Sequence, residues 1–259
     1  MKRQVLALES RLRSCRNVLT VGVRPNFGDY TEAEARLIHD ADKIYYPSAF
    51  YAEHFEALGK AIFPSCHSYR CAQDKIKQST LFQLAGLPHP RTRVFYGRRQ
   101  QAGIQDYFSF PLIAKDPRGS AMGRGGFLIR SAAELDTYTH HRHVVYIQEY
   151  LPIDRDMRIV VVGGRVVHAY WRIACAGEFR TNVAKGGRIG LDAVPTSALD
   201  LACQIAQTCH WDDVGLDICC HDGQYMVLEA NMKYGRGGFR AAGIDYFALM
   251  EQMIENGYI

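Results

Sequence analysis

Short apolar runs separated by amphipathic stretches open the chain. Residues 18–21, 43–46 and 61–63 read as strands, each rich in β-branched, leucine or aromatic side chains. Residues 31–39 and 51–58 read as helices; Thr31 and Glu34 form a capping box, and Gly59 closes the second helix. This is a small βαβαβ unit, for which a parallel sheet is expected. Residues 1–16 mix basic and apolar positions, and they predict an amphipathic helical extension packed on the body or on another subunit. From Asp74 onward the pattern changes to α+β with antiparallel hairpins. Asp74 opens a helix that ends at Gly86, and residues 111–114 form an apolar strand with Lys115 at its end. Ser131 and Glu134 open a further helix, and residues 144–150 form a strand. Gly163 and Gly164 turn a hairpin between 157–162 and 165–169. Helices over 195–209 and 245–255 complete the reading.

One hairpin carries oxygen ligands on a single face. Asp222 and Gly223 mark a turn between two runs of strand formers, 214–220 and 225–231. A three-residue loop of Asp222, Gly223 and Gln224 places Asp217 opposite Glu229, and the strand period adds Asn231 to that face. Leu216, Ile218, Met226 and Leu228 are then expected on the core side. Two carboxylates and an amide oxygen suit Mg²⁺ held between protein and phosphates. A wet acidic face is the plainer reading of the hairpin taken alone.

Composition narrows the function class. A chain of 259 residues with a net charge of +4 is large enough for two small domains or a divided one, and it is not the footprint of a dedicated nucleic-acid binder. The eight cysteines form no Cys-x-x-Cys pair, which argues for reduced, mostly buried thiols in a cytoplasmic protein rather than a zinc site or a disulfide framework. No stretch approaches a membrane span, and no signal peptide is read at the N-terminus. His140, His141 and His143 are taken as a solvated connection rather than metal ligands. The turn over 23–28 lacks a Gly-x-Gly-x-x-Gly pattern, so a dinucleotide site there is not expected.

Lys115 ends its strand just before the glycine-rich segment over 118–126. A cation beside backbone N–H groups that can approach an anion is a recipe for holding polyphosphate. Neither a Walker A sequence nor a protein-kinase motif set is present. Lys75 adds a second helical cation, and the carboxylate hairpin adds the opposite charge.

These motifs, in this order, resemble the ATP-grasp superfamily and most of all its RimK-type amino-acid ligases. The resemblance spans roughly residues 73–240. It rests on Asp74 and Lys75; Lys115; Gly119, Ser120, Gly123 and Gly125; Gln148, Glu149 and Tyr150; Asp156 and Arg158; Arg180 and Asn182; Gly215 and Asp217; and Glu229 with Asn231. It implies an ATP-grasp fold in which two α+β subdomains clasp ATP, preceded here by the small βαβαβ unit. The implied division is 1–16 as the extension, 17–72 as the βαβαβ domain, 73–147 as a lid subdomain and 148–259 as the metal-binding subdomain.

By the same resemblance, Lys75 and Lys115 contact ATP phosphates, with Gly119, Ser120, Gly123 and Gly125 in the lid. Gln148, Glu149, Tyr150 and Leu151 form the adenine linker, and Asp156 lies near the ribose. Asn182, Asp217, Glu229 and Asn231 arrange Mg²⁺, two ions, with Mn²⁺ as a substitute. Arg180 is the first choice for contacting an acylphosphate, followed by Arg158 and Arg172, because a planar guanidinium pairs bidentately with carboxyl and phosphoryl oxygens. Cys175 is read as a small packing residue. The implied activity is an ATP-dependent carboxylate–amine ligase, adding an amino acid such as glutamate to a peptide, protein or metabolite. A phosphotransferase and a non-catalytic ATP-binding regulator stay open as alternatives. The family's proline and glycine after the metal-binding Asn are replaced here by Met232 and Lys233; with Arg236 and Arg240 the segment is basic and hints at an anionic acceptor. The expected partners are ATP, a carboxylate and an amine, with no nucleic acid and no membrane; self-association into a homo-oligomer stays open.

Overall fold

The computed structural model describes residues 5–119, 125–175, 178, 181 and 186–259. Its first sheet contains β1 (Val5–Ala7), β2 (Val18–Thr20), β3 (Lys43–Tyr45) and β4 (Ala61–Phe63), all parallel and ordered β2-β1-β3-β4. Helices α1 (Glu32–Asp40) and α2 (Ser48–Ala57) provide its later crossovers, and the Thr31–Glu34 capping box forms as expected. The helical extension does not form over the described start of the chain. Residues 5–7 are instead the strand between β2 and β3, followed by a short 3-10 turn at Ser10–Leu12. The physical reason is burial on both sides. Leu6 and Leu8 join a core with Ile38, Ile44, Tyr51 and Phe55, while Ala7 faces a second core that contains Val160, Val162 and Met250. A continuous apolar run fits a central parallel strand better than a one-sided helix.

Helices α3 (Cys66–Cys71) and α4 (Lys75–Leu84) lead into the second sheet. That sheet contains β5 (Thr92–Tyr96), β6 (Leu112–Lys115), β7 (Gly126–Ile129) and β8 (Val144–Glu149), antiparallel in the order β5-β8-β6-β7. Helices α5 (Gly97–Gln101) and α6 (Ala132–Thr139) accompany it. The glycine-rich segment therefore links two paired strands, with Lys115 opposite Gly126, rather than running directly into the helix capped by Ser131.

The third sheet is antiparallel and ordered β11-β10-β9-β12-β13. Its strands are β9 (Arg155–Val162), β10 (Arg165–Ile173), β11 (Arg188–Gly190), β12 (Asp213–His221) and β13 (Gln224–Asn231). Helix α7 (Thr196–Thr208) covers one face, while α8 (Gly237–Ala241) and α9 (Tyr246–Glu255) follow β13. The period of two divides β9 cleanly. Met157, Ile159 and Val161 enter the core under α7, while Val160 and Val162 enter the core shared with the first sheet. Asp156 and Arg158 lie on that second face, at the end where the functional residues collect.

The β12–β13 hairpin reaches the expected pairing by a different route. Its loop has two residues, with Asp222 at φ 48° and Gly223 at φ 77°, and His221 pairs with Gln224. A β-bulge at Leu228 then shifts the register, so that Asp217 still faces Glu229 and Gly215 faces Asn231. The same bulge puts Val227, rather than Met226 and Leu228, into the core with Ile218.

Gly238 in α8 sits against the Tyr170 ring so closely that an added Cβ would fall inside the ring's van der Waals shell. Tyr170 is buried and has no room to retreat. Gly238→Ala is expected to destabilise the protein by about 1–3 kcal/mol, the usual range for overpacking a filled core. The check is the urea midpoint at constant m-value.

Candidate active site

Helix α4 brings the first cation to the carboxylate hairpin. Asp74 caps the helix by accepting from the Lys77 N–H, and it also accepts from Arg118 Nε at 2.9 Å. The Lys75 N–H donates to the Pro117 carbonyl at 2.9 Å. These bonds fasten the start of α4 to the segment that follows β6, so Lys75 and Lys115 are carried on one assembly. Lys75 Nζ reaches Glu229 Oε1 at 3.1 Å. Lys115 is half-buried at the end of β6. Burial lowers its pKa; Glu229 and Asp217 act to raise it and Lys75 to lower it, so all four charges share one field.

Sequence reasoning missed Gln78, one helical turn beyond Lys75. Its side chain donates to the Ala230 carbonyl at 2.8 Å and accepts from the Ala230 N–H at 3.0 Å. Strand β13 is the outer strand of its sheet, so Gln78 stands in for a neighbouring strand between Glu229 and Asn231. The signal available in sequence was only a polar residue on the inner face of an amphipathic helix.

The carboxylates differ sharply in their surroundings. The Glu229 side chain is 28 % exposed. Asp217 is 4 % exposed and held by two guanidinium groups. Arg158 grips it with both Nε and Nη2, the latter at 3.1 Å, and Arg172 Nη2 lies 2.9 Å from Oδ2. Burial alone would raise the Asp217 pKa, but the two arginines overcome that effect and hold it below the ordinary carboxylate range. Asn231 Nδ2 adds a long contact to Asp217 at 3.4 Å, which leaves the amide oxygen uninvolved in that bond.

Three residues with expected roles are already engaged by other side chains in this geometry. Arg172 is buried, and its fork is taken by Asp156 at 2.6 Å on both nitrogens as well as by Asp217. Its Nε and Nη2 are thus spent on the two aspartates. Arg158 is likewise buried and committed to Asp217. Asp156 is buried, receives Arg172 on both oxygens and accepts from Thr181 Oγ1 at 2.5 Å, so both oxygens already have partners within the protein. Arg180, Asn182, Ser120 and Gly123 lie outside the described residues. Gly119, with φ 67°, and Gly125 flank the undescribed part of the glycine-rich segment.

Gln148 is buried and donates to Thr92 Oγ1 at 3.0 Å, and Glu149 accepts from the Arg91 N–H. Tyr150 and Leu151 follow as half-buried linker residues leading to β9. Cys175 is exposed, and its thiol donates to the Gly186 carbonyl at 2.8 Å rather than packing in a core. None of the eight cysteines is in a disulfide. Among the described residues, no three His, Cys, Asp or Glu side chains converge as a metal cluster, and no helix is long and apolar enough to cross a membrane.

Comparison with known proteins agrees with this arrangement of sheets. The family model described as the RimK-like ATP-grasp domain matches residues 72–255. A probable alpha-L-glutamate ligase of Citrobacter koseri is 30% identical over 209 residues, which span 78% of this chain and 69% of that protein. A ribosomal protein bS6–L-glutamate ligase of Salmonella paratyphi B is 31% identical over the same shares. In three dimensions, the RimK domain ATP-grasp protein of Sphaerobacter thermophilus superposes with a TM-score of 0.69 at 16% identity, covering 97% of this chain and 99% of that one. This chain therefore belongs to the RimK-like ATP-grasp family and is an ATP-dependent carboxylate–amine ligase.

Proposed function

We propose that the protein joins a substrate carboxylate to the amine of an amino acid, glutamate being the leading candidate, through an acylphosphate. The observation that carries this reading is the meeting of Lys75, Lys115, Asp217 and Glu229 where α4 and β6 face the β12–β13 hairpin, marked by the 3.1 Å Lys75–Glu229 pair. The carboxylate attacks the γ-phosphorus of ATP and ADP leaves. The amine then displaces phosphate and loses a proton as the C–N bond forms. Both reactants of the first step are anions, so the cations serve to neutralise charge as it moves. The names of the two ligase relatives support glutamate as the donor. Exposed Lys233, which pairs with Glu9 at 3.3 Å, and exposed Arg240 support an anionic acceptor.

In this reading Lys75 and Lys115 hold phosphates, and the linker through Gln148, Glu149, Tyr150 and Leu151 receives adenine, its backbone at Tyr150 and Leu151 being the part not engaged by β5. Gly119, Ser120, Gly123 and Gly125 cover the phosphates, Asn182 assists the metal, and Arg180, the first choice on sequence grounds, contacts the acylphosphate. The donor set fits Mg²⁺, two ions, with Mn²⁺ as a substitute. Glu229 and the Asn231 amide oxygen are the most open ligands, and Asp217 is a partner already tethered by arginine. When bound, the metal supplies charge neutralisation on the polyphosphate. In this reading 17–72 precede the ATP-grasp part, 73–147 form the lid over the nucleotide, and 148–259 carry the metal ligands, with the basic segment after Asn231 bordering the acceptor. The unpaired cysteines support a cytoplasmic setting.

A screen of amino acids against candidate acceptors should release ADP only when carboxylate and amine are both present, with the amide product identified by mass. Release with a hydroxyl acceptor and no amine would overturn the ligase chemistry. Glu229→Gln should lower kcat by at least about 100-fold with an unchanged circular dichroism spectrum, since it removes the most open anionic ligand.

Lys115→Ala should weaken ATP binding by about 10- to 100-fold, the value of a charge-assisted contact, as read by calorimetry. Because burial lowers the Lys115 pKa, the ammonium is lost at lower pH than on an ordinary lysine. Affinity for ATP should therefore fall early as pH rises. Lys115→Arg, which stays charged, should flatten that fall.

A further inference from the structure

One face of the third sheet carries an unbroken row of opposite charges across three neighbouring strands. Arg172 on β10 is paired in register with Asp156 on β9. Two residues along β9, Arg158 is paired in register with Asp217 on β12, which in turn faces Glu229 on β13. Side-chain bonds follow the same path: Asp156 to Arg172 at 2.6 Å, Arg172 to Asp217 at 2.9 Å, and Asp217 to Arg158. At the far end, the Thr181 hydroxyl donates to Asp156 Oδ2 at 2.5 Å. Thr181 is itself buried, so this bond is made away from water.

We propose that Thr181, Asp156 and Arg172 are positioning residues that fix the orientation of Asp217, so that Thr181 is coupled to the phosphate-facing carboxylates. This rests on the reading that Asp217 and Glu229 serve the nucleotide. The three act as positioning residues: both Asp156 oxygens are taken by Arg172 and Thr181, and Arg172 spends Nε and Nη2 on Asp156 and Asp217. Their action is through geometry. Asp156 must keep both oxygens in the plane of the Arg172 fork for the Arg172 Nη2 to remain on Asp217. The Thr181 hydroxyl occupies the remaining acceptor direction on Oδ2 and stops the carboxylate from rotating. Without it, Asp156 turns toward another donor, the fork follows, and Asp217 is left to Arg158 alone. Outer partners of this kind commonly alter activity by about 10- to 100-fold.

Thr181→Val keeps the shape and removes the hydroxyl; Thr181→Ser keeps the hydroxyl. The arginine Nε–H signals of Arg158 and Arg172 in ¹⁵N spectra provide the first readout, and it needs no substrate. In Thr181→Val both signals are expected to move, although Thr181 makes no bond to Arg158, and both should return in Thr181→Ser. Movement of Arg172 alone, or of neither, overturns the coupling. With the substrate pair found by the ADP-release screen, Thr181→Val should lower kcat about 10-fold with the KM for ATP unchanged, and Thr181→Ser should restore it. A raised KM for the acceptor at unchanged kcat would make Thr181 a substrate contact and sink the proposal. Failure of the screen itself would count against the ligase reading, while the spectra would still decide the relay.

Discussion

The buried pairing of Arg158 and Arg172 with Asp217 and Asp156 is the constraint around which the site is organised. Four formal charges lie side by side on a sheet face with almost no water, and their sum is zero. Each is costly to desolvate, and only close, multiply bonded partners offset that cost. Removing one member of such a set usually costs about 3–5 kcal/mol, since its partner is left as an uncompensated buried charge. The sign for Asp217 follows from its depressed pKa. Its stabilising contribution is present above the carboxylate's unfolded pKa and is lost as pH falls through the folded value. The same bonds that stabilise the sheet also settle which oxygens remain for a ligand. Asp217 is largely spoken for, and Glu229 is not.

A third buried carboxylate, two pleats from Asp217 along β12, has the opposite character. Asp213 accepts from Tyr46 at 2.8 Å and Tyr234 at 2.7 Å, with Arg11 Nε 3.7 Å away and its guanidinium lying over the Tyr46, Tyr234 and Tyr246 rings. Burial raises its pKa, and Arg11 with the two hydroxyls recovers only part of that cost. This cluster ties the first sheet to the third, and the shared core of Val160, Val162, Phe63 and Met250 does the same. Between the two aspartates stands Gly215, where a Cβ would come within 2.8 Å of Tyr234 and 3.2 Å of Arg158. One face of β12 thus alternates acid, gap and acid. The gap lets an aromatic ring from the following loop separate two acidic groups of contrary proton affinity.

Local chemistry was legible in the sequence, and long-range pairing was not. The capping residues at Thr31, Asp74 and Ser131, the Gly163–Gly164 turn and the Asp217–Glu229 pairing could all be read from spacing, because each depends on neighbours within a few residues or a single turn. Strand β1 was misread because four consecutive apolar residues have no period of their own, and only the two cores on either side explain them. The commitments of Arg158, Arg172 and Asp156 were invisible because adjacent strands far apart in the chain place them together. Gln78 escaped notice for a similar reason: its partner is a main-chain amide more than a hundred residues away.

The extra residue at Leu228 separates the β12–β13 ribbon into two halves of different phase. Toward the tip, the alternation of inward and outward side chains follows the two-residue turn; toward the base, it follows the ligands. Without this offset the register set by the two-residue turn would put Leu228 opposite Asp217 and turn Glu229 to the other face of the sheet. With the offset, the phase of the tip and the phase of the base are set separately. One additional residue thus reconciles a tight turn at the exposed end with the alignment of the acidic side chains at the other.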